Sequence, residues 1–271
     1  MITLGFSPCP NDTFMFDALV HHKIDTEGLE FDVIFADIEK LNDWSIQGKL
    51  DVTKISYHAF MYCTDQYLLL DSGSALGSNC GPILIKKDKT DFSESSRIAI
   101  PGRYTTANML LDIAYPLHQN RVEVLFSDIE YKLLINEFDA GLIIHENRFT
   151  YQEKGLVKIM DLGEFWEEAT SLPIPLGGIV VNRNLSLDTQ QKVQRVLKRS
   201  IEYAFDNKQD SYDFIRSHSQ ELEDDVIESH IDLYVNDYSI SLGSKGKEAI
   251  SRLLEDRNIG TDIFLDSIIE L

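Results

Sequence analysis

The feature that most restricts the fold of this chain is the alternation of short apolar runs with segments of helical spacing. The apolar runs have the length and β-branched content of buried strands, and the first of them is Ile2–Phe6. Segments such as TTANMLLDIAY and IEYKLLINEF lie between them and place their apolar residues on one helical face. The further strand candidates are residues 29–35, 50–55, 67–70, 81–86, 97–100, 122–126, 140–144, 156–160 and 177–182. This alternation predicts an α/β fold in which helical crossovers join parallel strands.

The strand pattern stops near residue 184, and the rest of the chain has the pattern of successive amphipathic helices. These helices are predicted over residues 187–207, 210–219, 224–237 and 246–257. A chain of 271 residues exceeds the usual size of one compact domain, so two lobes are expected. We place the crossovers near 86–93 and 176–182. That placement predicts a larger, discontinuous lobe formed by residues 1–87 and 178–271, with residues 88–177 inserted as a smaller lobe.

The formal charge of −20, from 45 acidic and 25 basic residues, argues against binding to nucleic acid or to an anionic membrane surface. A small anionic substrate stays compatible with this charge, because a few local donors outweigh a screened, distant field. The start MITLGFSPCP lacks the pattern of a secretory signal, and no apolar run approaches a membrane span. The three cysteines, Cys9, Cys63 and Cys80, fit no disulfide or zinc framework but fit the reducing cytoplasm. Nothing indicates an obligatory protein partner.

Polar residues cluster directly after several predicted strands, where open α/β sheets bind their ligands. The clusters are SPCPND (7–12), KISYH (54–58), PGRYTT (101–106) and HEN (145–147). Their convergence predicts a ligand cleft between the lobes. In the first cluster Pro8 forces an extended loop, and Asn11 or Asp12 is expected to cap the next helix. Pro8, Cys9, Asn11 and Asp12 are therefore predicted to form one wall of the cleft.

The PGRYTT cluster is the clearest candidate for binding an anion. Thr105 is predicted to cap the next helix, and Thr106 presents a second hydroxyl beside unpaired helix N–H groups, which suits a carboxylate. The alternative is a plain capped helix. In the KISYH cluster Lys54 and Ser56 either bind a ligand, or Ser56 only caps the helix and Lys54 is only solvated.

His145 follows AGLII, a run apolar enough to be a fully buried strand. An imidazole there titrates near neutral pH and can accept and return a proton, although it can equally complete a loop. The histidines outside these clusters are predicted to be surface or capping residues, namely His21, His22, His118, His218 and His230. No metal-ligand spacing such as HExxH occurs, so no dedicated metal site is expected, and the glycine-rich segment 73–81 is predicted to be a loop.

Long stretches of the chain, in order, resemble the 1,4-dihydroxy-6-naphthoate synthases of the futalosine route to menaquinone. They are SPCPNDTFMFDAL, PGRYTTANMLL, AGLIIHENRFTYQEKGL and LPIPLGGIVVNR, and the tail HIDLYVNDYSISLG is similar as well. The resemblance covers essentially the whole chain, and its motifs SPCPNDTF and IIHENRFTY are rich in rare residues. It implies a two-lobed, type II periplasmic-binding-protein-like fold with a ligand cleft between the lobes.

The resemblance also implies a cytoplasmic carbon–carbon lyase of menaquinone biosynthesis. Such an enzyme splits cyclic dehypoxanthinyl futalosine into 1,4-dihydroxy-6-naphthoate and dihydroxyacetone, and it uses neither a metal nor an organic cofactor. His145 is the proton acceptor under this interpretation. The substrate-binding residues that the resemblance implies are Lys54, Ile55, Ser56, Thr105 and Thr106.

Three other interpretations stay open, and one of them is a ligand-sensing domain, although no attached output module is visible. A solute-binding protein of a transporter has the same architecture, but it is expected to carry a signal peptide or lipid anchor, and neither is visible in the sequence. The sister chorismate dehydratase has a similar fold, but the setting of His145 in IIHENRF resembles the synthase and not the dehydratase.

Overall fold

A computed structural model describes residues 1–219, 223–255 and 262–265 of the chain. Its strands are β1 (Ile2–Phe6), β2 (Phe31–Phe35), β3 (Val52–Ser56), β4 (Tyr67–Leu69), β5 (Ala75–Gly77), β6 (Ile83–Lys87), β7 (Ile98–Ile100), β8 (Arg121–Glu123), β9 (Ala140–Ile143), β10 (Leu156–Asp161) and β11 (Ile174–Asn182). Its helices are α1 (Pro10–Val20), α2 (Ile38–Ile46), α3 (Tyr57–Phe60), α4 (Thr106–Ala114), α5 (Ile129–Leu134), α6 (Asn147–Thr150), α7 (Leu162–Thr170), α8 (Leu187–Asp206), α9 (Tyr212–His218), α10 (Asp224–Tyr234), α11 (Asp237–Ile240) and α12 (Gly243–Leu254). Every apolar run predicted as a strand overlaps one of these strands. Among the described residues no helix is both long and apolar enough to cross a membrane.

The chain divides into two compact units. The first contains Met1–Gly77 and Pro175–Leu271, and the second contains Ser78–Ile174. The boundaries therefore fall after residues 77 and 174, whereas the sequence predicts them after residues 87 and 177. The first boundary differs more because β6 pairs with β9 and β10 and so belongs to the sheet of the second unit. The polar connector at 86–93, on which the predicted boundary rests, comes only at the end of β6.

The first unit contains a six-stranded sheet in the order β2-β1-β3-β11-β4, with β5 paired to β11. β1 runs parallel to β2 and β3, as predicted, but β11 runs antiparallel to β3 and β4. Gly177 lies opposite Ser56, and Val181 lies opposite Val52. The prediction of parallel strands is wrong here because the returning chain enters at the carboxyl end of β3 and runs back along it.

The core of the first unit is built around α1. Every residue from Pro10 to Leu19 is buried, and α8, α9 and α10 pack around the helix. Phe6 of β1 stacks on Phe16 with 4.4 Å between the ring centroids, and Ser200 of α8 donates to the carbonyl of Met15 at 2.7 Å. Burying a large apolar side chain contributes about 1.5–3 kcal/mol, so the helical tail is a main stabiliser of this core. The predicted tail helices are confirmed up to Leu254, and residues 256 and 257 lie outside the described residues.

The second unit has its own five-stranded sheet in the order β10-β6-β9-β7-β8. β7 is parallel to β8 and β9, and β6 is antiparallel to β9 and β10. A separate cluster of buried side chains packs on this sheet: Ile83, Ile85, Ala99, Ile129, Leu133, Phe138, Ile143, Tyr151 and Leu156.

The glycine-rich segment 73–81 contains a strand and is not only a loop, so that prediction is wrong. Gly73 adopts a left-handed φ of +89°, and β5 then pairs with β11. Just before β5, the hydroxyls of Tyr57 and Ser74 lie 2.7 Å apart. β5 has three residues, too few to show in the sequence the two-residue alternation typical of a strand. It forms a strand by pairing with β11.

Candidate active site

The loop after β1 begins α1 earlier than the sequence predicts. Cys9, not Asn11 or Asp12, is the N-cap, and its backbone is extended with φ −66° and ψ 152°. Its carbonyl accepts the backbone N–H groups of Asp12 at 3.1 Å and Thr13 at 3.0 Å. Pro10 fits the first helical position because the N–H it lacks has no partner there in any helix.

Asp12 is the polar centre of this loop and not a helix cap. Its carboxylate is almost completely buried, and Oδ2 accepts the backbone N–H of Ser7 at 3.1 Å and the Ser7 hydroxyl at 2.7 Å. Oδ1 accepts Nδ2 of Asn11 at 2.9 Å and Nζ of Lys54 at 2.9 Å. The structure therefore brings together residues from two of the predicted clusters, SPCPND and KISYH. The side chain that rigidifies the turn at Pro8 and Cys9 is Asp12.

Lys54 and Ser56 lie on β3, whose residues are all buried. Lys54 is only 5% exposed, so it is not the solvated charge of the alternative interpretation. Removing one partner of a buried ion pair costs about 3–5 kcal/mol, so Lys54 and Asp12 stabilise each other's charge. Ile55 points to the opposite face of the sheet, as strand alternation requires, and its side chain is fully buried. Any contact of Ile55 with a ligand would come from its backbone.

Ser56 is the N-cap residue of α3, but its side chain makes no capping hydrogen bond. Its hydroxyl instead accepts Nδ2 of Asn42 at 3.0 Å, and its backbone N–H donates to Oδ1 of the same amide at 2.9 Å. The prediction of a side-chain cap is therefore wrong. Asn42, on α2, was not a candidate, and it determines where the hydroxyl of Ser56 lies.

Two histidines that the sequence predicts to be surface or capping residues are buried. His230 of α10 has no exposed surface, and its Nε2 lies 3.0 Å from Oδ1 of Asn11. His118, in the second unit, is 8% exposed and stacks on Phe92 with 4.8 Å between the ring centroids. A signal for His230 was present in the sequence. It lies three residues after Ile227 on the apolar stripe of α10, a face that turns toward the core.

Thr105 and Thr106 begin α4 in the second unit. Thr105 is the N-cap as predicted, since its Oγ1 accepts the backbone N–H of Asn108 at 3.2 Å. The same hydroxyl donates to the carbonyl of Gly102 at 2.8 Å, so its proton is already used within the loop. Thr106 is the first residue of the helix and is also buried. While the hydroxyl of Thr105 keeps this contact, it does not donate to an anion.

His145 lies two residues beyond the last residue of β9, in the left-handed conformation with φ +58°. Few residues other than glycine adopt this conformation, and holding one in it costs about 1–3 kcal/mol. The half-buried imidazole packs against the edge or face of Phe126, with ring centroids 5.0 Å apart and planes at 64°. Strain of this kind is concentrated at functional sites.

The short helix α6 follows His145 at once and is anchored by buried acids. Asn147 donates through Nδ2 to Oε2 of Glu130 at 2.6 Å, and Lys154 donates to the same oxygen at 2.7 Å. Arg148 donates to the carbonyl of Gly81 and to Oδ2 of Asp161. These contacts fix the segment that begins with the strained histidine. Glu130, only 3% exposed, was not a candidate from the sequence.

The comparisons with known proteins identify the family of this chain. A family model described as menaquinone biosynthesis matches residues 2–257. A 1,4-dihydroxy-6-naphthoate synthase from Thermus thermophilus is 42% identical over 255 residues, which cover 94% of this chain and 93% of that protein. A 1,4-dihydroxy-6-naphthoate synthase from Streptomyces coelicolor is 38% identical over 258 residues, which cover 93% and 91%.

Solved structures give the fold. A crystal structure of an Archaeoglobus fulgidus protein matches with a TM-score of 0.88 at 36% identity and covers 94% of this chain and 95% of that one. A Candida albicans protein with the generic periplasmic binding protein fold matches with a TM-score of 0.64 at 12% identity, over 100% and 99% of the two chains. The fold predicted from the resemblance, periplasmic-binding-protein-like, is therefore confirmed.

Proposed function

The chain belongs to the menaquinone biosynthesis family and acts as a 1,4-dihydroxy-6-naphthoate synthase, and we propose that its substrate is cyclic dehypoxanthinyl futalosine. The proposed reaction breaks a carbon–carbon bond of this substrate and releases 1,4-dihydroxy-6-naphthoate and dihydroxyacetone. A lyase step of this kind needs a group that removes a proton from a hydroxyl or an acidified C–H. The electron pair left by the O–H or C–H bond then drives cleavage of the carbon–carbon bond.

We propose that His145 is this general base. The observation that carries the proposal is the left-handed backbone of His145, two residues beyond the buried strand β9. This backbone conformation is strained, and it holds the imidazole in a fixed place. An imidazole titrates close to neutral pH, so it can accept the proton and return it without a large mismatch in driving force. The contact with Phe126 restricts how the ring can turn.

We propose that the substrate is bound as a small anion by residues of the PGRYTT and KISYH clusters. The N-terminus of α4 offers the positive end of the helix dipole and the hydroxyl of Thr106 to a carboxylate, while Thr105 holds the loop in shape. On β3, Lys54 supplies the cation, and Ser56 supplies a hydroxyl that Asn42 orients. Ile55, between them, takes part through its backbone.

A cytoplasmic location is part of the same proposal. Cys63 and Cys80 are buried thiols, and burial raises the pKa of each to about 12, which keeps them protonated and unreactive. Free thiols that stay protonated fit a reducing compartment.

The test is direct turnover. The purified protein is incubated with cyclic dehypoxanthinyl futalosine, and 1,4-dihydroxy-6-naphthoate and dihydroxyacetone are measured by mass spectrometry. We expect both products in equal amounts from the wild type, and a kcat about 10²–10⁴-fold lower from His145→Asn, which keeps a polar side chain but cannot act as a base. Circular dichroism confirms that the variant is folded. Binding of the substrate without turnover by the wild type would refute the proposal and favour a solute-binding protein. Near-normal turnover by His145→Asn would remove His145 as the base.

A further inference from the structure

We propose that His230 is a positioning residue for substrate binding, which acts through Asn11 and Asp12 on Lys54. The inference rests on the proposed role of Lys54 as the cation that meets the substrate. Nε2 of His230 lies 3.0 Å from Oδ1 of Asn11. Nδ2 of Asn11 lies 2.9 Å from Oδ1 of Asp12, and the same oxygen lies 2.9 Å from Nζ of Lys54. The contacts form one continuous chain from the tail helix α10 to β3.

The carboxylate of Asp12 determines which atom donates in each hydrogen bond of this series. A carboxylate only accepts hydrogen bonds, so Asn11 must turn its amide nitrogen toward Asp12 and its oxygen toward His230. An amide oxygen only accepts, so Nε2 of His230 must carry a proton. Reversing the Asn11 amide would place its oxygen against the carboxylate, which is repulsive. The proton on Nε2 of His230 therefore stabilises the amide orientation that the Asp12 carboxylate requires.

The surroundings of His230 indicate that its ring is there for a polar contact. It has no exposed surface and lies on the apolar stripe of α10, with Ile227 and Ile231 as neighbours on that stripe. The ring also packs against Tyr234, with 4.7 Å between the centroids. A leucine would fill such a position without the cost of burying a polar group. The contact with Asn11 spans 219 residues of sequence, so it ties the helical tail directly to the loop after β1.

The consequence falls on Lys54. The Asp12 carboxylate accepts four hydrogen bonds, and one of them comes from the amide of Asn11. That amide is held in turn by His230, which lies outside the loop. Without the donor on His230, Oδ1 of Asn11 loses its buried hydrogen bond, so the Asn11 side chain is held less firmly against Asp12 and the direction of the Lys54 ammonium is less well defined. Because Lys54 is proposed to bind the substrate and His145 to perform the proton transfer, the loss is expected in KM and not in kcat.

The experiment compares His230→Leu with His230→Gln. Leucine keeps a similar volume without a donor, whereas glutamine places an amide N–H at about the reach of Nε2. We expect His230→Leu to raise KM for cyclic dehypoxanthinyl futalosine about 3- to 10-fold with kcat within about twofold, and His230→Gln to restore KM to within about twofold. Ser229→Ala, at the neighbouring exposed position of α10, is the matched control and leaves KM unchanged. A folded His230→Leu variant with wild-type KM overturns the proposal, and so does a kcat loss that glutamine does not rescue.

A second measurement tests the same contact without any substrate. Nitrogen-15 NMR of histidine-labelled wild type, with His230 assigned by comparison with His230→Gln, reports which ring nitrogen carries the proton. We expect a proton on Nε2, and a ring with a bare Nε2 overturns the proposal. If the wild type makes no naphthoate, the proposed function fails by the turnover assay, and the NMR result still decides whether His230 donates to Asn11.

Discussion

Two adjacent threonines of the same chemistry are assigned different roles in this protein. The hydroxyl of Thr105 accepts the N–H of Asn108 and donates to the carbonyl of Gly102, so both of its capacities serve the fold. Thr106 is the residue whose hydroxyl we assign to the substrate carboxylate. Valine has nearly the shape of threonine and lacks the hydroxyl, so it separates the two roles.

We expect Thr105→Val to lower the free energy of unfolding by about 0.5–2 kcal/mol, the usual cost of losing a helix cap. Thr106→Val is expected to raise KM by about 10- to 150-fold, since a hydrogen bond to a charged group contributes about 1.5–3 kcal/mol. Chemical denaturation and steady-state kinetics measure the two effects. A wild-type KM in Thr106→Val would remove Thr106 from the substrate site.

At the scale of single residues, the sequence identifies candidates but not their partners. Lys54 and Asp12 both belong to polar clusters after predicted strands, yet 42 residues separate them, and no local pattern indicates that they form a buried pair. The prediction of a surface or capping position for His230 is wrong, although its place on the apolar stripe of α10 indicates burial. Local spacing shows which face a residue occupies, and only the packed fold shows what that face meets.

At the scale of elements, most strands could be predicted because buried strands are apolar along their whole length. The direction of β11 could not, because it depends on where the returning chain enters the sheet. The helix α6 also could not, because four residues are too short for a helical period and it is held by side chains from elsewhere. Glu130 is the main one, since it accepts hydrogen bonds from Asn147 and from Lys154.

We therefore expect Glu130→Leu to lower kcat about 10- to 100-fold with a smaller change in KM, because α6 and the strained His145 before it lose their anchor. Asn147→Leu is expected to reproduce most of this loss. Lys154→Met is the matched control: Lys154 is 39% exposed, and pairs with an exposed member contribute about 0.2–1 kcal/mol, so kcat stays near the wild-type value. Equal loss of kcat in all three variants would show that the ion pair with Lys154 supports the loop as much as the contact with Asn147 does, and would contradict this expectation.

At the scale of the whole molecule, the two units have separate apolar cores. The cluster around α1 and α8 lies entirely in the first unit, and the smaller cluster on the β6–β9 sheet lies entirely in the second. The sequence predicts two lobes from length and from the order of its elements, but it could not place the boundary at residue 77, because the polar run that marks a linker comes after β6. The first unit contains the buried thiols of Cys9 and Cys63, and the second contains that of Cys80.

The thiols of Cys63 and Cys80 provide a separate probe of each unit. Burial raises the pKa of Cys63 and of Cys80 from 9.0 to about 12. At a pH of about 8 the buried thiols are therefore roughly 10³-fold less ionised than exposed ones, and alkylation of either one reports unfolding of its unit. A raised pKa in the folded state stabilises the fold below pH 9.0, and that contribution is lost as the pH rises from 9.0 toward about 12.

With increasing urea at a pH of about 8, we expect pulse alkylation followed by peptide mass spectrometry to label Cys80 at a lower concentration than Cys63, because the second unit buries the smaller apolar core. Repeating the series at a pH of about 10 should lower both midpoints, because the unfolded thiols then lose their protons while the folded ones keep them. Cys63→Ala and Cys80→Ala are the controls for the pH effect, and each should reduce it. If Cys63 and Cys80 are labelled at the same urea concentration in the wild type, the two cores unfold as one cooperative unit and the expectation of separate steps is wrong.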